Sequence, residues 1–131
     1  MRAMEAAEFL VVEDIFLTET AQMADVVLPS KCFAEKDGTN TNTERRVQRV
    51  RPAIAPVGNS KPDWWIVCEI ARRMGAQGFE FTEPAEIMAE IASVTPQYGG
   101  MSYERLEDEG LQWPCPAPDH PGTPFLHSAK F

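Results

Sequence analysis

The chain has 131 residues, 44% of them hydrophobic and 24% charged, which suits one modest folded domain and excludes a predominantly disordered polypeptide. Twenty acidic residues against twelve basic ones give a net charge of −8. That balance argues against a dedicated nucleic-acid binder, which needs a surplus of Lys and Arg to neutralise phosphates. No apolar run approaches the roughly 18 to 20 residues that span a bilayer. The first eight residues carry two acids where a secretory signal would be basic and then apolar.

In chain order, Phe9-Leu10-Val11-Val12 is a wholly apolar run ending on Glu13-Asp14, and it predicts a strand buried on both faces, as in a parallel sheet. Thr18 offers an N-cap to one or two helical turns through Ala24, and Asp25-Val26-Val27-Leu28 predicts a second strand, stopped by Pro29. From Lys31 to Asn59 the chain is polar. The Thr39-Asn40-Thr41-Asn42-Thr43 run predicts loop, because Asn and Thr bond their own backbone. Arg45 to Arg51 predicts a short extended segment. A loop this long inside a compact domain points to function or disorder.

Ser60 with Asp63 three residues on predicts a capping box, with Pro62 in the first turn and Gly75 as the stop. Trp64, Val67, Cys68, Ala71 and Met74 form its apolar stripe. Thr82 and Pro84 predict a second helix with Ile87, Met88, Ile91 and Val94 buried, and Tyr103 to Glu109 a third, shorter one. After Trp113, five prolines at 114, 116, 118, 121 and 124 predict a linker or clamp on a surface and not a packed element. The expected fold class is α/β: a partial parallel sheet with flanking helices and a proline-rich C-terminal tail.

Candidate chemistry is sparse. Cys32, Cys68 and Cys115 lie far apart, none in a CxxC pair, and His120 and His127 sit near the C-terminus; this predicts no metal site and no disulfide framework. There is no nucleophile elbow, P-loop or GxGxxG. Glu13 and Asp14 stand at the C-terminal end of a strand, where open α/β sheets bind ligands. They either contact a ribose or purine there or simply end the strand. Lys36, before Asp37-Gly38, is either aimed at a phosphate by a tight turn or solvated. Asp63 suits a helix N-terminus on structural grounds alone.

The order of segments is more specific than any one of them. Residues 11–21 (VVEDIFLTETA), 24–29 (ADVVLP), 34–39 (AEKDGT), 42–48 (NTERRVQ) and 61–65 (KPDWW) follow one another. Together they resemble the large-subunit family of molybdopterin oxidoreductases, which includes formate dehydrogenases, nitrate reductases and relatives of dimethyl sulfoxide reductase. Tyr103-Glu104-Arg105-Leu106 and Gln112-Trp113-Pro114-Cys115-Pro116 look most like the formate dehydrogenase α-subunit branch.

The resemblance implies a fragment of a chain several times longer. Residues 1–112 would be the C-terminal part of a Rossmann-like domain holding molybdopterin guanine dinucleotide, and residues 113–131 a linker towards the last domain. It implies a bis-molybdopterin guanine dinucleotide cofactor with molybdenum or tungsten. The metal ligand, the catalytic residues and a 4Fe-4S cluster would lie elsewhere in the parent, so the fragment alone would be inactive. The implied cofactor-binding residues are Glu13, Asp14, Lys36 and Asp63, with Asp14 on the guanosine and Lys36 on the pyrophosphate. Glu13 stands where relatives often carry Gln or Ser. Asn42, Arg45 and Arg46 are expected near the pterin or its entry channel.

Implied partners are the rest of the large subunit and its electron-transfer subunits, with an open sheet edge through which two copies can pair. Three unpaired thiols suit the cytoplasm, although a periplasmic parent fits the family too. Two other readings stand beside this one: a nitrate reductase catalytic-subunit fragment, and a stand-alone nucleotide-binding or assembly module.

Overall fold

In the computed structural model, which describes residues 2–128, apolar strand β1 (Val11–Asp14) lies parallel to β2 (Val26–Pro29), with Val11 opposite Val26 and Asp14 opposite Pro29. A short helix α1 (Arg2–Glu5) precedes them, and α2 (Glu19–Gln22) connects them. Thr18 caps α2 as the sequence predicts, its Oγ1 accepting from the Ala21 N–H at 3.3 Å. The chain divides into two compact units, one of residues up to 36 with 52–80, the other of 37–51 with residues from 81 onward.

In the first unit, Lys61 N–H donates to Pro29 O at 3.1 Å and Lys31 N–H to Lys61 O at 2.9 Å. The resulting Ser30–Lys61 bridge prolongs the parallel pairing beyond β2. It delivers the chain directly into α3 (Asp63–Arg73). The capping box expected at Ser60 does not form. Pro62 occupies the N-cap position, and the Ser60 hydroxyl is buried without a partner. Gly75, at φ 83°, ends the helix as expected.

Two further expectations for this unit are corrected. Both strands expose apolar side chains, Val11 at 44% and Val26 at 38%, because a two-stranded sheet and a one-turn helix cannot cover two faces. The buried side chains of α3 are Ile66 and Cys68, whereas Val67 and Met74 face solvent. Residues 66 and 68 lie about 200° apart around a helix, so α3 is buried on two sides and not along one stripe.

The second unit holds an antiparallel sheet in the order β3 (Gly38–Thr41), β4 (Arg46–Val50), β5 (Leu111–Gln112). The Thr-Asn run is therefore a strand: Thr39 pairs with Arg49 and Thr41 with Val47. Only Asn42 follows the expected loop chemistry, its Oδ1 accepting from the N–H groups of Glu44 at 2.9 Å and Arg46 at 3.0 Å. Arg45 closes that hairpin in the left-handed region, at φ 67°.

Helix α4 (Pro84–Val94) forms as predicted, but only Met88 is fully buried, with Ile91 and Val94 exposed. Thr82 is not its N-cap; Glu86 reaches back to accept from the Thr82 N–H at 2.6 Å and hydroxyl at 3.1 Å. Residues 103–109 are successive turns rather than a helix. There Arg49 and Arg51 bind Glu107, and Arg51 also takes the Glu107 carbonyl at 2.7 Å.

Val47, Met88, Met101, Leu106 and Cys115 form this unit's core, ringed by Tyr98, Tyr103, Leu111 and Trp113. The proline-rich segment thus supplies a core residue, Cys115 at 0% exposure, which corrects its reading as unpacked. Leu106→Ala should lower stability by about 2–5 kcal/mol in urea unfolding, through lost transfer energy and the cavity left behind.

Candidate functional site

The predicted site residues all fall in the first unit. Glu13 and Asp14 end β1, Lys36 follows a 3-10 turn (Phe33–Glu35), and Asp63 opens α3. Parallel pairing, prolonged by Lys61, sets these segments at the C-terminal end of the strands, where backbone groups and helix N-termini face a ligand.

Three of the four come together. The Lys36 ammonium is paired with the Asp63 carboxylate, and Glu13 shares a hydrogen bond with Asp63. Burial, the Asp63 hydrogen bond and the Asp63 charge raise the Glu13 carboxyl above its usual range, against the pull of Lys36. At Asp63 burial works against the carboxylate, but the Lys36 hydrogen bond and charge outweigh it, and the group titrates low. The two neighbouring carboxyl groups thus titrate apart, Glu13 taking up a proton before Asp63 as pH falls.

Asp14 stands apart from the cluster. Its Oδ1 accepts from the Phe16 N–H at 3.1 Å and its Oδ2 from the Thr18 hydroxyl at 3.4 Å. These two contacts leave a carboxylate with acceptor capacity to spare. Asn42, Arg45 and Arg46 lie in the second unit and shape its hairpin turn. Arg45 also binds the carbonyls of Thr123 and Pro124.

Two residues were overlooked by sequence reasoning. Glu35 is buried, its carboxylate accepting from the N–H groups of Cys32 at 2.8 Å and Val57 at 2.5 Å. These bonds, first the one from Cys32, hold it below the usual range and fix the turn that presents Lys36. The only sequence signal was its place in the Glu-Lys-Asp-Gly turn. The other is Ser60, whose hydroxyl has no partner.

Ser60 and Glu35 line a cavity of about 300 Å³ beyond the strand ends, with Ile15, Phe16, Pro29 and Val57 as its apolar walls. That volume is at the lower end for a small-molecule site. The set can bind and orient a polar ligand with an apolar or flat body: one cation, carboxylate acceptors and an unused hydroxyl. Among the described residues no group of three or more His, Cys, Asp or Glu side chains could hold a metal ion. The three cysteines are free thiols.

Comparison with known proteins identifies the family. The model of the molybdopterin oxidoreductase family matches residues 1–73. The α subunit of an F420-dependent formate dehydrogenase 2 from Methanococcus maripaludis is 57% identical over 99% of the chain and 19% of its own length. The corresponding F420-dependent formate dehydrogenase α subunit of Methanocaldococcus jannaschii is 51% identical over 99% of the chain and 20% of its own. Among solved structures, acetylene hydratase from Pelobacter acetylenicus superimposes with a TM-score of 0.61 at 25% identity, over 79% of this chain and 14% of that one. The chain thus spans about a fifth of the curated relatives it matches. With the strand-end site lying inside the matched residues, the chain belongs to the molybdopterin oxidoreductase family.

Proposed function

We propose that this chain is the part of a formate dehydrogenase α subunit that holds a molybdopterin guanine dinucleotide. The observation that carries the reading is the meeting of Lys36, Asp63 and Glu13 at the strand ends, beside a cavity with one unpartnered hydroxyl. Its β1–α2–β2 parallel unit supports a Rossmann-like reading of the first unit within residues 1–112, and residues 113–131 lead towards a further domain. A cytoplasmic setting accords with three free thiols.

The residues present fit such a group. Lys36 offers three donors to a pyrophosphate once it turns from Asp63. Asp14 retains acceptors for the N–H edge of guanine or a ribose hydroxyl, and Ser60 is among the residues that line the apolar-walled cavity. When bound, the cofactor with its molybdenum or tungsten provides the centre at which formate gives up two electrons and a proton to become carbon dioxide. Supplied elsewhere in the parent enzyme are the metal ligand, the residues around formate, a 4Fe-4S cluster and the electron-transfer subunits. What this chain does is bind and orient.

Titration calorimetry of the purified protein with GDP tests the reading. Guanine-selective binding is expected, weakened roughly 10- to 100-fold in Asp14→Ala, because a charge-assisted hydrogen bond is worth about 1.5–3 kcal/mol. Lys36→Ala should weaken GDP but leave guanosine nearly unaffected. Equal binding of GDP and ADP by the folded protein would overturn the guanosine assignment.

The carboxyl pair gives a second test by NMR titration. In Lys36→Ala, both Asp63 and Glu13 should titrate higher than in the unaltered protein, having lost the same cation. The signs for stability are opposite. Asp63, held low, contributes stability above its unfolded pKa that is lost as pH falls through the folded value. Glu13, held high, contributes stability at low pH that is lost as pH rises through its folded value. In Lys36→Ala the acid-side loss should therefore shrink.

A further inference from the structure

The second unit carries two arginines that the cofactor reading does not use. Arg45 donates to the carbonyls of Trp113, Thr123 at 3.0 Å and Pro124 at 3.1 Å, and its guanidinium stands 5.8 Å over the Trp113 ring. Arg105 donates to the carbonyls of Gly100, Ala117 at 3.4 Å and His120 at 2.7 Å. Ion pairs among the described residues occupy Arg46, Arg49, Arg51, Arg72 and Arg73 instead. Arg45 and Arg105 thus spend their charge on neutral carbonyls, in a chain with a surplus of carboxylates.

Both converge on residues 116–124. This segment crosses the Gly99-Gly100 pair so closely that a Cβ at Gly100 would collide with the Ala117 carbonyl, and one at Gly99 would lie 2.7 Å from Pro116 O. Within it only Gly122 is buried. Four prolines, at 116, 118, 121 and 124, remove backbone donors and leave carbonyls as the handles. Beneath lies the Cys115 thiol, 3.3 Å from the His120 carbonyl and 3.5 Å from the Arg105 guanidinium. A segment fastened by polar contacts and little apolar burial opens at lower free energy than a core.

We propose that residues 116–124 are a strap that opens as a unit while the rest of the second unit stays folded, with Arg45 and Arg105 as its two charged fasteners beside the Thr123 N–H on Gln112 O at 2.9 Å and the Thr123 hydroxyl on Pro114 O at 2.6 Å. Opening breaks the carbonyl contacts of both arginines and uncovers Cys115. Lysine cannot replace either arginine, because a single ammonium lacks the planar fork that reaches several separate carbonyls at once. The inference rests on none of the cofactor assignments.

The test is N-ethylmaleimide labelling of the native protein, read separately at Cys32, Cys68 and Cys115 by peptide mass spectrometry. In the unaltered protein, Cys115 labelling should change little with low urea, since a strap exposes far less surface than global unfolding. Arg105→Ala should speed Cys115 labelling roughly ten-fold or more, Arg45→Ala should act in the same direction, and Arg105→Lys should behave like the alanine variant. The idea is overturned if Cys115 labelling follows urea as steeply as global unfolding. It is equally overturned if folded Arg45→Ala labels Cys115 no faster than the unaltered protein. Should Arg105→Ala fail to fold, the urea dependence and Arg45→Ala decide.

Discussion

The candidate site depends on a backbone register. With β1 and β2 paired in parallel and Lys61 bridged to the end of β2, three segments distant in sequence finish at the same edge. Parallel strands all point their C-termini one way, and a helix that follows such a strand turns its N-terminus to the same side. Asp63 is therefore at the site because it opens α3, and Glu13 because it closes β1. Lys36 joins them through a different constraint, the buried Glu35 carboxylate that pins its turn to Val57. Without that anchor a lysine beside Gly38 would be a solvated side chain, and its pairing with Asp63 would cost conformational entropy it does not recover.

Much of the first unit was legible in the sequence because its signals are local. Apolar runs closed by an acidic pair or a proline mark the strands, Thr18 caps its helix with its own hydroxyl, and a glycine ends α3. Ser60 was misread because a capping box depends on one backbone angle, and the bridge at Lys61 moves the helix start two residues on. The second unit was less legible. Thr39 to Thr41 gain strand structure from partners on β4, a non-local benefit that outweighs their preference for side-chain-to-backbone bonds. Tyr103 to Glu109 form turns in place of a helix, with Glu107 held by Arg49 and Arg51 of the neighbouring strand and its end. Of the site, the residue types were visible, but the cluster was not: nothing in spacing pairs positions 36 and 63.

The uncovered apolar side chains of the first unit have a physical reading alongside the family match. Continuous Val and Leu runs are the signature of strands covered on both faces, yet here Val11, Val26 and Val27 are each more than a third exposed. Curated relatives are about five times the length of this chain, and further layers there would bury such surface at about 25 cal/mol per Å². The second unit, by contrast, has its own contiguous core around Leu106.

The two kinds of fastening differ in their response to salt. Lys36 and Asp63 are a partly exposed ion pair, and dissolved ions at 1 M reduce the Debye length to about 3 Å, weakening such a pair. Arg45 and Arg105 hold carbonyl dipoles at contact, an interaction that has already decayed before a counter-ion can intervene. Rising ionic strength should therefore loosen the lysine turn while leaving the arginine-held segment in place. A halophilic environment and a dilute one would see the same second unit but differently poised strand ends.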